Sequence, residues 1–250
     1  MKDTARATLG FALFFCLTSC AVSSGPQENV YVERVVDGDT VRLDNGDLVR
    51  LIGINAPELR HGQHVAEAYA RQATDALAGL VEDRKVRLEP GVERLDRYKR
   101  RLAYLFLPDG ADVQKKLLEQ GLAFVIAVPP DIRRADEYLA AENTARDEGR
   151  GLWARADHLF KDPKSLSARD KGRFRLVKGE ITRVIRAKKN IYLKLGDSFG
   201  VRIPQSLWRE HWRGNPDRLR GKTIEVRGWI GKNRYGYTLP VRHPVMMQIL

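Results

Sequence analysis

From residue 30 onward the chain consists of short β-rich segments separated by turn signals, and this alternation constrains its fold more than any other feature. Residues 30–36 and 40–43 are rich in β-branched residues, and an Asp-Gly-Asp turn joins them. A second turn signal at residues 44–47 precedes another apolar segment at 48–54. Segments of this length with Gly, Asn and Asp between them are typical of a meander of short strands.

Three later segments carry apolar residues at helical spacing, and further strands lie between them. We predict helices over 65–80, 113–119 and 135–148, and strands over 85–88 and 102–107. Because strands come first and helices are then interleaved with strands, the pattern favours an α+β fold with a small barrel.

The composition is that of a folded protein with one unusual N-terminal run. The chain has 250 residues, of which 43% are hydrophobic and 30% charged, so a packed core is expected and wholesale disorder is excluded. No segment after the N-terminal run nears the ~20 apolar residues of a membrane span, which excludes a polytopic membrane protein. Both cysteines, Cys16 and Cys20, lie in that run. The part that follows can therefore hold neither an internal disulfide nor a thiolate metal site.

The basic excess belongs to the last third of the chain. Residues 166–250 hold 20 Lys and Arg against 6 Asp and Glu, a net charge of +14, whereas residues 1–165 hold 24 against 26, a net charge of −2. This asymmetry indicates two modules, with residues 161–172 as a linker. The basic module suits an anionic partner, and the alternative is a solvated face that serves solubility.

Residues 173–250 contain short strands with turn signals between them, which predicts a second small β-barrel. The predicted strands there are 175–186, 190–195, 199–203, 222–230 and 235–239.

The N-terminus indicates an export signal. Lys2 and Arg6 precede an apolar stretch at residues 9–17, which has the length of a signal h-region. Residues 17–20 (LTSC) resemble the bacterial lipobox, in which the chain is cut before a cysteine that becomes lipidated. This resemblance predicts lipidation at Cys20, and the alternative is an ordinary signal peptide with a coincidental cysteine.

Residues 21–28 contain Ser, Gly and Pro and indicate a flexible tether. We therefore expect an exported protein that is anchored by lipid to the bacterial cell envelope. If the cell has two membranes, Ala21-Val22 lacks the aspartate that usually signals inner-membrane retention, which favours the outer membrane or the periplasmic side.

Three separated motifs carry residue types suited to phosphodiester chemistry. Residues 37–40 (DGDT) place carboxylates at a turn where they can meet a hard cation, although DGD is also ordinary turn chemistry. Residues 50–58 (RLIGINAPE) begin with an arginine and end with a glutamate behind a proline, and residues 96–104 (DRYKRRLAY) place a basic cluster before a strand. Arginine forks neutralise phosphate oxygens, carboxylates hold a cation, and one carboxylate can handle a water.

These motifs, in this order and spacing, resemble the staphylococcal nuclease (thermonuclease) family over roughly residues 30–160. The resemblance implies a five-stranded OB-type β-barrel with three helices. It also implies an enzyme that cleaves DNA and RNA phosphodiester bonds with Ca2+ as cofactor, by in-line attack of water, and leaves a 3′-phosphate.

The resemblance assigns roles to matching positions. Asp39 corresponds to a calcium-binding aspartate, and Ala56 to a position that offers calcium its backbone carbonyl. Glu58 corresponds to the glutamate that acts on or orders the attacking water. Arg50 and Arg100 correspond to the two arginines that contact the phosphate and stabilise the transition state.

The chain also departs from the family pattern. Tyr98 matches an active-site tyrosine near the phosphate, with Arg97 in place of a more usual lysine. Asn55 stands where the family has a second calcium-binding aspartate; its amide oxygen can ligate Ca2+, but the lost charge predicts a roughly tenfold or greater weakening. Residues 127–130 (AVPP) lack the tyrosine expected near the nucleotide base, so stacking there is weaker or comes from elsewhere.

In the C-terminal module, basic and aromatic residues interleave in a strand pattern that resembles OB-type nucleic-acid-binding domains. The alternative use of this charge is docking to anionic phospholipid beside the lipid anchor. The predicted nucleic-acid contacts, all in expected turns, are Arg186, Lys188, Lys189, Lys232, Arg234 and Tyr235.

The sequence therefore predicts a monomeric, calcium-dependent endonuclease. One alternative is a non-catalytic nucleic-acid-binding envelope lipoprotein, with Asn55 as the first sign of decay. The retention of Asp39, Arg50, Glu58 and Arg100 speaks against decay, because drift would not spare four scattered polar groups. A weaker alternative is an envelope adaptor that recognises another anionic polymer.

Overall fold

The computed structural model describes residues 27–59 and 65–250. The predicted export signal, the lipobox and Cys20 lie outside these residues. The strands of the first part of the described chain are β1 (Glu28–Asp37), β2 (Thr40–Leu43), β3 (Leu48–Leu51), β4 (Ile54–Asn55), β5 (Arg84–Leu95), β6 (Arg101–Phe106) and β7 (Phe124–Val125). The helices are α1 (Ala70–Val81), α2 (Val113–Glu119) and α3 (Ala135–Asp147).

Five of these strands close into a barrel in the order β1-β2-β3-β6-β5. Neighbouring strands run antiparallel except β3 and β6, which run parallel. Because side chains alternate along a strand, every second side chain points into the barrel. Completely buried examples are Val32, Val41, Val49, Leu88 and Leu105. The predicted α+β fold with a five-stranded barrel is confirmed.

The strand predicted over 48–54 is wrong in its second half. β3 ends at Leu51, and β4 pairs instead with β7. Between them Gly53 has a φ of 83°, and a Cβ there would lie 2.6 Å from the ring of Tyr138. The chain therefore needs a glycine to turn here, and this turn carries Asn55 out of the barrel sheet.

The helices begin and end close to their predicted positions, with one exception. α2 and α3 agree with the predictions over 113–119 and 135–148. The helix predicted over 65–80 begins later, at Ala70, because Tyr69 has a left-handed φ of 65° that a helix does not contain.

The rest of the chain is mainly β-structure. It contains β8 (Phe160–Lys161), β9 (Phe174–Glu180), β10 (Arg183–Arg186), β11 (Asn190–Lys194), β12 (Phe199–Pro204), α4 (Gln205–His211), β13 (Thr223–Trp229), β14 (Gly231–Asn233), β15 (Gly236–Pro240) and β16 (Met247–Ile249). One sheet has the order β10-β11-β12-β15-β14, and the other has the order β16-β13-β9-β8. A second closed barrel stays a prediction.

Two details of this part differ from the sequence prediction. The segment predicted as one strand over 175–186 is two strands. The N–H of Ile181 donates to the carbonyl of Lys222, whereas the N–H of Thr182 donates to the carbonyl of Lys194, so the backbone passes from one sheet to the other between these two residues. The short helix α4 (Gln205–His211) was not predicted. No helix in the described ranges is long and apolar enough to cross a membrane.

The segment predicted as a linker, residues 161–172, has its own structure. β8 pairs in parallel with β9, and two short 3-10 helices follow at Pro163–Ser165 and Ala168–Asp170. Pro163, Leu166 and Asp170 are buried. These residues therefore pack against the sheet that follows them.

The C-terminal region is attached to the barrel region by buried contacts. Glu142 of α3 pairs with Arg227 of β13, and the two residues are only 1% and 7% exposed. The rings of Phe124 on β7 and Phe174 on β9 stack with centroids 5.9 Å apart. These contacts fix β13 against α3 and β9 against β7.

Candidate active site

The Asp-Gly-Asp turn between β1 and β2 packs against the segment that follows β3. Gly38 lies at its centre, and a Cβ at this position would be 2.7 Å from the Cβ atoms of both Ala56 and Ala73. Only glycine permits this close approach. The N–H of Asp39 donates to Asp37 Oδ1 at 3.1 Å, which stabilises the turn.

Asp39 and Arg50 form a buried ion pair. Arg50 Nη2 lies 2.8 Å from Asp39 Oδ2, and the two side chains are 10% and 9% exposed. The N–H of Ala56 donates to the same carboxylate oxygen at 2.9 Å. Arg50 Nη1 donates to the carbonyl of Ile54 at 2.9 Å. The guanidinium is therefore held both by Asp39 and by the turn after β3.

Thr40 connects this ion pair to Arg100. The Thr40 hydroxyl donates to Asp39 Oδ1 at 3.2 Å and accepts from Arg100 Nη1 at 3.3 Å. Asp96 holds Arg100 from another side, with Oδ2 at 2.8 Å from both Nε and Nη2. Burial alone would raise the pKa of Asp96, but the hydrogen bonds and charge of Arg100 keep it below its usual value. Arg50 therefore contacts Asp39 directly, and Arg100 is connected to Asp39 through the Thr40 hydroxyl.

Asn55 and Ala56 lie beside the same ion pair. Asn55 Oδ1 is 3.5 Å from Arg50 Nη2, and Asn55 Nδ2 donates to the carbonyl of Ala56 at 3.2 Å. Asn55 is buried because it pairs with Phe124 across β4 and β7. The three residues predicted as calcium ligands, including Asp39, are therefore neighbours.

This set of oxygen atoms fits a hard cation such as Ca2+. Carboxylate, amide and carbonyl oxygens are its preferred ligands, and a carbonyl that accepts one hydrogen bond keeps a second lone pair. Burial raises the pKa of Asp39 above its usual range; Arg50 and the Ala56 N–H offset this in part, while Asp37 and Glu58 add to it. A cation at this point would stabilise the ionised carboxylate.

The candidate cation site is nevertheless poor in charge. Within residues 27–59 and 65–250, no group of three or more His, Cys, Asp or Glu side chains is arranged to hold a metal ion. Asp39 is the one predicted ligand with a formal charge, and Arg50 lies 2.8 Å from it. Calcium binding, and its weakening by Asn55, stay predictions.

Glu58 is exposed and follows Ala56, whose N–H donates to Asp39, by two residues. The charge of Glu58 contributes to the raised pKa of Asp39. Its backbone is bonded to Glu67. The N–H of Glu58 donates to Glu67 Oε2 at 3.2 Å, and the N–H of Glu67 donates to the carbonyl of Glu58 at 2.9 Å. The backbone of the predicted water-ordering residue is therefore held by Glu67, two residues after the Ala56 N–H that bonds to Asp39.

Tyr98 lies next to Arg100 and is 64% exposed. The guanidinium carbons of Arg97 and Arg100 lie 4.7 Å and 5.5 Å from the centre of its ring. Arg97 Nη2 also donates to the Tyr98 hydroxyl at 2.8 Å. The exposed ring and its two arginines are therefore able to meet a substrate beside Arg100.

Sequence reasoning missed three residues that organise this site: Thr40, Asp96 and Glu67. Thr40 was part of a recognised motif but had no assigned role. Asp96 precedes Arg100 by four residues in a turn, a spacing that could have indicated the pair. Glu67 has no local signal, because its ionic partner Arg175 lies 108 residues away.

The residues predicted to contact nucleic acid do not form a single cluster. Lys188 and Lys189 lie in the exposed turn between β10 and β11, whereas Lys232, Arg234 and Tyr235 lie on β14 and in its turn to β15. The sheet order puts the two turns at opposite edges, and the strand directions put them at opposite ends. The sixth residue, Arg186, is engaged by Asp217 Oδ2 at 2.6 Å from Nη2 and by Asn215.

The outward face of this sheet carries further suitable residues between the two turns. Ile185 pairs with Tyr192, and Tyr192 pairs with Arg202, so these three side chains share one face. Arg183, two residues before Ile185, lies on the same face. Arg183 and Arg202 are exposed. Sequence reasoning missed this face because it looked for contacts in turns.

A family model described as staphylococcal nuclease homologue matches residues 48–155. The matched segment includes Arg50, Glu58 and Arg100, whereas Asp39 precedes it. The C-terminal region from residue 156 onward lies outside the match.

Curated relatives agree with this match. The chain is 32% identical over 136 residues to Endonuclease YncB of Bacillus subtilis (strain 168). The aligned segment covers 52% of the chain and 64% of that protein. The chain is 32% identical over 131 residues to the Thermonuclease of Staphylococcus intermedius, covering 51% and 77%. It is 35% identical over 130 residues to an uncharacterized endonuclease of Escherichia coli, covering 50% and 77%. The chain spans only 46% of another relative, the SPbeta prophage-derived endonuclease YokF of Bacillus subtilis (strain 168).

Proposed function

Because the chain belongs to the family of staphylococcal nuclease homologues, we propose that it is an endonuclease that hydrolyses phosphodiester bonds of DNA or RNA. One observation carries this proposal. Arg50 contacts the buried carboxylate of Asp39, and Arg100 reaches the same carboxylate through Thr40. Two arginines fixed at one point suit a transition state that gathers negative charge on phosphate oxygens.

In this proposal Glu58 orders the attacking water and takes its proton. Glu58 is exposed, so a water from solvent can reach it, and it follows by two residues the Ala56 N–H that bonds to Asp39. The water attacks phosphorus in line with the leaving 5′-oxygen, which gives a product that ends in a 3′-phosphate. Arg50 and Arg100 stabilise the charge on the trigonal-bipyramidal species, and Tyr98 lies beside the phosphate.

Asp39, Asn55 and the Ala56 carbonyl are the residues that would hold Ca2+. When bound, the ion supplies positive charge to a non-bridging phosphate oxygen. The burial of Asp39 and the oxygen donors around it support this assignment.

Digestion of plasmid DNA and of RNA, with millimolar Ca2+ or with chelator, tests the proposal. We expect cleavage that requires Ca2+ and that Glu58→Gln lowers by about 10²–10⁴-fold, to a residual rate that can still be measured. Glu33→Gln is the matched control, because Glu33 is an exposed carboxylate on β1 that pairs with Arg42 at the barrel surface. Nucleic-acid binding without cleavage by the unmodified chain would favour the non-catalytic alternative and overturn the proposal.

We also propose that the outward face of the β10-β11-β12-β15-β14 sheet binds the nucleic-acid backbone. Arg183 and Arg202 flank Tyr192 on this face, which combines phosphate-binding cations with a ring on which a base can stack. The exposed lysines at 188–189 extend the basic surface at one end of the sheet. The net charge of +14 in residues 166–250 favours an anionic polymer.

Salt titrations against a single-stranded oligonucleotide and against anionic phospholipid vesicles test this surface. The double variant Arg183→Gln/Arg202→Gln is expected to reduce the salt slope of binding by about 1.4, since each phosphate contact to a single strand contributes about 0.7. Arg209→Gln/Arg218→Gln, two exposed arginines outside the strands of this sheet, is the control. Vesicle binding with a flat DNA slope would favour phospholipid instead.

Finally, we propose that the chain is exported and lipidated at Cys20, and that it is a monomer at the cell envelope. The lipobox-like residues 17–20 support this. The full chain is expected to partition into the detergent phase of a Triton X-114 extract, and Cys20→Ala to stay in the aqueous phase. Equal partitioning of the two proteins would contradict lipidation, and light scattering of the detergent-free variant measures its oligomeric state.

A further inference from the structure

Arg175 of β9 is connected to Glu58 through Glu67. Arg175 Nη1 lies 2.9 Å from Glu67 Oε1, and the other carboxylate oxygen, Oε2, accepts the N–H of Glu58 at 3.2 Å. The N–H of Glu67 in turn donates to the carbonyl of Glu58 at 2.9 Å. Glu67 therefore holds the backbone of Glu58 at two points, and Arg175 holds the carboxylate that makes one of them.

Arg175 is itself firmly placed. Its Nε lies 2.8 Å from Asp170 Oδ1, and its Nη1 also donates to the carbonyl of Phe174 at 2.8 Å. The Arg175 side chain is 14% exposed and that of Asp170 is 4% exposed. Ion pairs with this little exposure are screened less by solvent than surface pairs. The strand that carries Arg175 is fixed in addition by the stacking of Phe174 on Phe124.

Glu58 needs such support, because it lies in an irregular segment rather than in a helix or strand. A general base must stay within hydrogen-bond reach of the water that it activates. A displacement of about 1 Å can cost up to about 10²-fold in rate.

We propose that Arg175 is a positioning residue for Glu58 and acts through Glu67. The C-terminal region is then part of the catalytic apparatus and not only a surface for nucleic acid. This inference rests on the proposed role of Glu58 in hydrolysis. It requires that the effect of Arg175 be seen with substrates too short to reach the outward face of the five-stranded sheet.

The first experiment compares Arg175→Ala with Arg146→Ala in the full chain. Arg146 is the matched control because it also joins the two regions, with Nη1 at 2.8 Å from Glu225 Oε2, but it pairs with Glu225 and not with Glu67. On a short oligonucleotide, Arg175→Ala is expected to lower kcat about 10- to 100-fold and to change KM less than about twofold. Arg175→Lys should recover part of this loss, and Arg146→Ala should keep kcat unchanged.

A double-mutant cycle shows whether Arg175 acts through Glu58. In the Glu58→Gln background, Arg175→Ala should cause no further loss, since the group that it positions is already gone. An equal loss in both backgrounds would mean a general structural defect and would overturn the inference.

A measurement without substrate separates this inference from the proposed function. Amide hydrogen exchange at Glu58, followed by NMR, is expected to be faster in Arg175→Ala and in Glu67→Gln than in the unmodified chain or in Arg146→Ala. Glu67 is 31% exposed on its side chain, so its amide variant is expected to fold even if Arg175→Ala does not. If the protein cleaves nothing but shows this exchange pattern, the proposed function is wrong, whereas the connection from Arg175 through Glu67 to Glu58 is supported. A chain that cleaves while Arg175→Ala matches Arg146→Ala in both kcat and exchange overturns the inference.

Discussion

Two buried aspartates show how differently this protein treats a carboxylate in the candidate site and a carboxylate in its scaffold. Asp39 is 6% exposed and Asp170 is 3% exposed, and each has an arginine nitrogen at 2.8 Å. Burial raises the pKa of Asp39 above its usual range, and Arg50 offsets this only in part. Burial acts in the same direction on Asp170, but Arg175, Ser167 and Lys161 overcome it and lower the pKa of Asp170 to about 2.

The difference lies in the charged and polar groups that surround each carboxylate. Asp170 has two cations and the N–H and hydroxyl of Ser167 around it, so its negative charge is fully compensated. Asp39 shares its surroundings with the carboxylates of Asp37 and Glu58, which oppose ionisation. A compensated carboxylate stabilises a fold, whereas an undercompensated one is prepared to receive a further positive charge.

The largest effect is expected for Arg50→Ala, which removes a fixed cation from the undercompensated site. Loss of one preorganised donor to the transition state should lower kcat by about 10²–10³-fold, measured as the initial rate of DNA cleavage at saturating Ca2+. Arg42→Ala is the control, since Arg42 lies on the neighbouring β2 but pairs at the surface with Glu33. A normal rate for Arg50→Ala would mean that the Asp39–Arg50 site does not act in catalysis, and Asp39 would then not differ in function from Asp170.

A smaller effect, on stability, is expected when the charge of the compensated carboxylate of Asp170 is removed. Because the pKa of Asp170 falls from an ordinary 3.8 to about 2 on folding, its ionised form stabilises the fold by roughly 2 kcal/mol at neutral pH. This stability is present above about pH 4 and is lost as the pH falls towards 2. Asp170→Asn should therefore reduce the free energy of unfolding by about that amount at pH 7, measured by urea denaturation, and the loss should shrink at lower pH.

Asp162→Asn is the matched control for Asp170→Asn. Asp162 lies in the same segment and is exposed, and its side chain caps a 3-10 helix by accepting the N–H of Lys164, which asparagine can also do. An equal loss in both variants would mean that burial and compensation at Asp170 contribute nothing special.

The two aspartates also differ in how far the sequence reveals their roles. Asp39, Arg50 and Arg100 belong to short motifs whose order and spacing resemble a known family, and that resemblance assigned them to one site. Asp170 and Arg175 carry no such signal, because their role depends on how β9 packs against a segment that composition indicated as a linker. Local spacing thus predicted the chemistry and the barrel. The contacts that join distant parts, such as Arg175 with Glu67, depend on tertiary packing, which no local pattern encodes.

A smaller effect is expected when charge is added to the undercompensated site. Asn55→Asp places a second carboxylate beside Asp39 and Arg50, and should tighten Ca2+ binding about tenfold, since a unit charge at contact distance contributes at least about 1 kcal/mol in water. Calorimetric titration with Ca2+ measures this. Asn143→Asp on the exposed side of α3 adds the same charge elsewhere and should leave the affinity unchanged. Unchanged affinity in Asn55→Asp would mean that position 55 does not face the ion.

The smallest effect is expected for Glu33→Gln, which tests whether proximity alone could explain the comparison. Arg42 Nε lies 3.2 Å from Glu33 Oε2, nearly as close as the buried pairs, but the side chains are 41% and 54% exposed. Water screens such a pair, so its loss should change the free energy of unfolding by less than about 1 kcal/mol. Urea denaturation beside Asp170→Asn measures the contrast. If the two variants lost equal stability, burial would not be what separates the scaffold carboxylate from a surface one, and the contrast between Asp39 and Asp170 would need another cause.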